Sequence, residues 1–182
     1  GEAASYLVFE RGLFAASGRK VEIDSRALDG SGWSRVDLAM PFASAPVIVS
    51  QTQTMRDTHL VQTRQRPFAD DSRAFELMLQ ETEAQQRAGH AHGVEQVGWV
   101  ALDASGGSMG ALPVLVTTAS VSSTTTTVRF PAAFPAPPAL IAGLATFHGA
   151  DPASLRYRTL SAADVSLRVE EDTTADSETG HA

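Results

Sequence analysis

The sequence predicts an all-β protein made of two tandem antiparallel β-sandwich repeats of about 92 residues. Three observations carry this. Apolar positions alternate with a period of two along most of the chain, as in half-buried strands. Turn signals separate these short runs, at "DGSG" (29–32), "SGGSMG" (105–110) and "HGADP" (148–152). Blocks of sequence also recur at a nearly constant offset, the signature of a repeated structural unit.

The repeat is legible in several independent places. Phe42 and Pro46 match Phe134 and Pro138 at an offset of 92, and Arg64 and Arg66 match Arg156 and Arg158 at the same offset. "SRVDL" (34–38) matches "TTVRF" (126–130), "FELMLQETE" (75–83) matches "VSLRVEEDT" (165–173), and Gly89-His90 matches Gly180-His181. The closing stretch "VEQVGWVAL" (94–102) has no equivalent after "ETGHA", whereas the opening residues 2–10 resemble it at an offset of 93, with Tyr6 opposite Trp99. The expected division is a first sandwich over 11–103 and a second over 104–182. The second is completed by a strand like residues 2–10, supplied by the same chain or by a neighbour, because an open sheet edge is a poor final state.

Strands are expected at "LVFE" (7–10), within the closing strand, and in the first unit at "KVEID" (20–24), "PVIVSQTQT" (46–54), "LVQTRQR" (60–66), "AFELMLQE" (74–81) and "EQVGWVAL" (95–102). In the second they are "LPVLVTTAS" at 112–120, "TTTTVRF" at 124–130, "PALIAGLAT" at 138–146, "SLRYRTL" at 154–160 and "DVSLRVEE" at 164–171. The run 82–89 has some helical character, but its counterpart "DTTADSETG" has loop composition, so both are expected to be loops.

Composition bounds the function. With 43% hydrophobic and 19% charged residues the 182-residue chain can build real cores and is not disordered. A net charge of −7 speaks against a nucleic-acid partner. No apolar run approaches the ~20 residues of a membrane span. There is no cysteine, which excludes a disulfide scaffold but not an extracellular home. Lysine occurs once, at Lys20, so arginine supplies nearly all cations and any fork-shaped hydrogen bonding to sugar or carboxylate. The chain begins without Met and without a basic-then-apolar leader, as expected of a mature form or a fragment of something larger.

The order of blocks resembles the H-type lectin domain, in particular its bacterial secreted relatives. A Phe-x-x-x-Pro start (Phe42 to Pro46) leads into "VIVSQTQT", then an Arg-x-Arg strand, "FELMLQE", a polar Gly-His loop and a closing aromatic strand. The likeness covers 35–102 best, then 127–182, with 1–10 as closing strand only. It implies sandwiches that bind sugars such as N-acetylgalactosamine at subunit edges and assemble as oligomers, with the loop at Asp57 and Asp151 reaching the ligand.

The candidate binding residues each carry two readings. Arg64, Arg66, Arg156 and Arg158 lie on alternate positions of matched strands and form a cationic stripe. Either they donate to sugar hydroxyls or they pair with glutamates across the sheet, at Glu76, Glu81, Glu170 or Glu171. Asp57 and Asp151 either accept from sugar hydroxyls or make Asx turns at strand ends. Tyr6 and Trp99 either stack on a sugar face or pack in the core. His90, His92 and His181 lie in matched loops. The spacing "HAH" (90–92) occurs in metal sites, but no further His or Cys is in reach by sequence, so a structural or sugar-stacking histidine is favoured and no metal is expected. The acidic run "EEDTTADSE" (170–178) offers oxygens to calcium without the spacing of a known calcium loop.

No catalytic residue is expected: no nucleophile elbow, phosphate loop or cysteine nucleophile is present. The function expected is a non-enzymatic carbohydrate-binding or adhesive module of a larger extracellular or surface protein, meeting glycans as a homo-oligomer or array. The competing expectation is a structural repeat of a stalk, sheath or fibre assembled by strand exchange, with no ligand.

Overall fold

The computed structural model describes all residues except 1–7, 17, 31, 69–70, 179 and 181–182. The fold is all-β. Strands β1 (Gly12–Ala16), β2 (Arg19–Leu28), β7 (Glu95–Leu102) and β4 (Val47–Thr52) form one antiparallel sheet in the order β1-β2-β7-β4. Strands β3 (Ser34–Asp37), β6 (Ala74–Glu81) and β5 (Val61–Pro67) form a second, in the order β3-β6-β5. The two sheets pack face to face over one core: Leu28, Val36, Leu38, Phe42, Ile48, Phe75, Leu77, Leu79, Val97, Trp99 and Ala101.

Alternation assigns the inward faces. Along β7 every second residue is buried, from Glu95 through Val97 and Trp99 to Ala101. Along β6 the core face carries Phe75, Leu77 and Leu79 and ends at Glu81. The Trp99 ring meets Phe75 edge-on at 5.2 Å, at the centre of this core. One side of the sandwich is closed by polar bonds between β4 and β5. Ser50 Oγ donates to Gln65 Oε1 at 2.6 Å, and Gln65 Nε2 donates to the Ile48 carbonyl at 2.7 Å.

In the second half, β8 (Ser105–Met109) and β9 (Leu112–Val116) make a hairpin, and β10 (Thr126–Arg129), β12 (Asp164–Glu171) and β11 (Ala153–Leu160) make a sheet in the order β10-β12-β11. That order is the one found in β3-β6-β5. Residues 138–146, expected as a strand, are irregular, with Leu140 and Ile141 exposed. Their counterpart β4 is a strand because it pairs with β7 from Val47↔Leu102 to Thr52↔Val97. Among the described residues the second half offers no strand equivalent to β7. The proposed closing strand 2–10 lies mostly outside the described residues, and 8–10 are irregular.

Three local expectations are corrected. "SGGSMG" was expected as a turn, but its first five residues are β8, and only Gly110 (φ +62°) turns the chain. Strands β1 and β3 were not foreseen as strands. Residues 82–89 are not all loop: α1 (Glu83–Arg87) is a short helix. Gln85 reaches back to the Thr82 backbone N–H at 3.1 Å. The next two N–H groups are taken by the second half of the chain, Glu83 N by Asp172 Oδ2 at 2.9 Å and Ala84 N by Thr174 Oγ1 at 3.2 Å. These are the orphan donors of a helix start, and no local sequence signal shows that distant residues will satisfy them. No helix among the described residues is long and apolar enough to cross a membrane.

Candidate functional site

Two polar regions stand out, one where the two halves meet and one at the end of the first sandwich.

The junction is built on the outer face of β5. Arg64 lies opposite Met78, and Arg66 opposite Glu76, so both arginines share that face. Arg64 is buried: its guanidinium donates to Gln80 Oε1 at 2.8 Å and to the Thr146 carbonyl at 3.4 Å, and it lies over the Phe147 ring at 4.8 Å. Burial lowers its pKa from the ordinary value, because desolvation disfavours the charged form. Arg66 pairs with Glu76 at 2.6 Å and lies over Trp33 at 4.1 Å, and Trp33 meets Phe147 edge-on at 5.2 Å. Two arginines and two rings thus make a continuous ladder from one half of the chain to the other. Trp33 joins the two halves in this ladder through Phe147.

Beside the ladder runs a groove of about 360 Å³ between the halves, walled by β4, β5, residues 142–144 and the start of β11. Its polar lining is Ser50, Gln51, Thr52, Gln62, Thr63, Arg64 and Ser154. Ser154 Oγ donates to Gln62 Oε1 at 3.2 Å across the junction. The Thr52 hydroxyl is buried without a hydrogen-bond partner. In the second half the matching arginines are exposed. Arg156 faces Glu170 at 3.4 Å, both well solvated, and Arg158 is exposed.

The second region lies where β6 ends and β7 begins. Glu81 and Glu95 close the inward faces of these two strands, and the loop 88–94 carries His90 and His92 between them. Gly89 (φ +70°) ends the helix in a left-handed conformation, and His90 N donates to the Gln85 carbonyl at 3.1 Å, which aims His90 at Glu81. His92 rests on Gly30, where a Cβ would come within 2.8 Å of the His92 nitrogen. His92 Nδ1 is 3.3 Å from Glu81 Oε1, and the His90 Nδ1 contacts the same oxygen directly. His59 stacks on His90 with ring centroids 3.8 Å apart.

Asp57 and Glu95 hold the loop in front. Asp57 accepts from His59 N at 3.1 Å, from Gly93 N at 3.1 Å and from His59 Nδ1 at 2.8 Å. These bonds hold its carboxyl well below the usual range, the His59 and Gly93 backbone donors first. Its bond to His59 N is an Asx turn. Glu95 accepts from Thr54 Oγ1, from Arg56 N at 2.7 Å and from Asp57 N at 3.0 Å, and these donors, Thr54 first, lower its pKa.

Of the residues expected to meet a ligand, the fold therefore brings Asp57 and His90 together, with His90 Nε2 3.7 Å from Asp57 Oδ2. It places Arg64 and Arg66 in the junction and Trp99 in the core. Asp151 is exposed beside the buried Pro152. Tyr6 and His181 lie outside the described residues. The acidic run 170–178 makes contacts with the helix: besides Asp172, Asp176 pairs with Arg87 at 2.6 Å. Sequence reasoning missed His59 and Glu95 and the groove hydroxyls. His59 gives no signal, because its matched position is Asp151, and Glu95 reads only as part of a strand.

Comparison with known proteins adds one relative. No family model matches the chain, and no solved structure matches it. The chain is similar to Halomucin of Haloquadratum walsbyi (strain DSM 16790 / HBSQ001), 27% identical over 130 residues. The match covers 71% of this chain and 1% of Halomucin, so the chain spans a very small part of the length of its relative.

Proposed function

We propose that the chain is a non-enzymatic carbohydrate-binding or adhesive module of a larger extracellular protein, as the resemblance to H-type lectin domains implies. The observation that carries this reading is the groove between the halves. Its volume of about 360 Å³ suits a sugar ring or two, and hydroxyls and carboxamides line it. The likeness to Halomucin supports an extracellular setting. A glycan array on the intact chain, with and without chelator, tests it beside Thr52→Val and Gln62→Ala. Selective binding that both variants lose supports the reading. Silence across the array sinks it.

One observation favours the structural alternative. Arg64 and Arg66, the most distinctive pair in the sequence, are engaged within the chain: Arg64 reaches Thr146 and Phe147 of the second half, and Arg66 pairs with Glu76. On that reading the chain is a segment of a stalk or fibre. A concentration-dependent polymer, seen by light scattering and abolished by deleting residues 2–10, supports it. A monomer at all concentrations counts against it.

A further inference from the structure

We propose that Glu81, His90 and His92 form a binding site for a divalent first-row transition metal ion, zinc by the chemistry of the donors. The proposal is independent of the glycan reading.

Both imidazoles direct Nδ1 at one oxygen, Glu81 Oε1. The distance from His92 Nδ1 to that oxygen is 3.3 Å. In a tetrahedral zinc site with bonds of about 2.0–2.1 Å, neighbouring ligand atoms lie about 3.3–3.4 Å apart. The three ligand atoms are all within 4.8 Å of one another.

The other nitrogen of each ring faces a second carboxylate. His90 Nε2 lies 3.7 Å from Asp57 Oδ2, and His92 Nε2 lies 3.5 Å from Glu95 Oε1. A metal-ligating histidine characteristically turns its free N–H to a carboxylate, which fixes the tautomer and raises ligand basicity. Here both do. With protons on Nε2, two nitrogen lone pairs and a carboxylate oxygen converge on one point, and a cation there removes their mutual repulsion. Burial sharpens the need. The side chains of His92 and Glu81 are 1% and 7% exposed.

The donor set selects the ion. Two imidazoles and one carboxylate suit zinc, nickel or copper, whereas calcium wants six to eight oxygens. His90, 27% exposed at its side chain, leaves a path to solvent and a position for water. A rival set of Asp57, His59 and His90 shares one ring. It is the weaker, because the His59 side chain is 41% exposed and water competes there for the ion.

The test is calorimetric titration of the chelator-treated 182-residue chain with zinc chloride at neutral pH. One ion per chain is expected, with affinity reduced about ten-fold or more in His90→Gln, His92→Ala and Glu81→Gln, and unchanged in His59→Ala. Asp57→Asn should lose about 10–100-fold, the usual effect of removing an outer carboxylate. Circular dichroism checks each fold. If His92→Ala does not fold, the partly exposed His90→Gln decides. Nitrogen NMR of the zinc-loaded chain should show Nδ1 metallated and Nε2 protonated in both rings. Absence of zinc binding, equal affinity in wild type and His90→Gln, or metallation at Nε2 overturns the proposal.

Discussion

The Arg64 guanidinium lies over the Phe147 ring, 4.8 Å from its centroid, so a buried cation of the first half is covered by an aromatic of the second. Its fork donates to Gln80 and to the Thr146 carbonyl, and the ring face supplies the rest of its environment. A charge buried this far persists only where its partners replace water.

Arg64→Ala therefore leaves Gln80 Oε1 unsatisfied and a void under Phe147. It should destabilise the chain by about 2–3 kcal/mol in urea unfolding. Arg64→Met keeps the volume and should cost less. Arg156→Ala, at the matched position, removes only a solvated ion pair and should stay within about 0.5 kcal/mol.

Trp99→Ala should cost about 3–5 kcal/mol, because it empties the centre of the first core. Trp99→Phe should fold and keep any glycan binding. A selective loss of sugar binding in Trp99→Phe would place the site at the β7 core instead of the groove.

Glu95 gives the stability a defined acid limit. Its folded pKa is below its ordinary value of 4.5, as three donors favour the carboxylate. A group depressed in this direction contributes stability above its unfolded pKa and loses it as pH falls through the folded one. Asp57 acts with the same sign. Stability measured by thermal unfolding should therefore fall as pH drops below about 4.5, and Glu95→Gln should flatten that slope while lowering stability at neutral pH.

Asp172→Ala should free the Glu83 N–H at the helix start and cost about 1 kcal/mol. Hydrogen exchange should quicken at residues 83–87 with little change in β6. Unchanged exchange there would show that Asp172 does not hold the helix.

The all-β class and the inward faces of β6 and β7 follow from sequence alone. "AFELMLQE" and "EQVGWVAL" became β6 and β7 at their expected bounds, because strict alternation of apolar side chains has one solution on a pleated sheet. Asp57 and His90 were legible as neighbours of polar loops. Tertiary structure decided the rest, wherever a residue's state depends on a distant partner. The run 138–146 alternates as β4 does, yet it is no strand, because β4 owes its pairing to β7. The run 82–89 has helical character but reads as a loop by its counterpart's composition, and Asp172 and Thr174 of the second half complete the first turn of the helix at 83–87. Arg64 and Arg156 occupy matched positions, and only packing against Phe147 separates a buried cation from a solvated one. The pattern "HAH" supplied two ligands in sequence, and the third, Glu81, came within reach only when the end of β6 met the loop before β7.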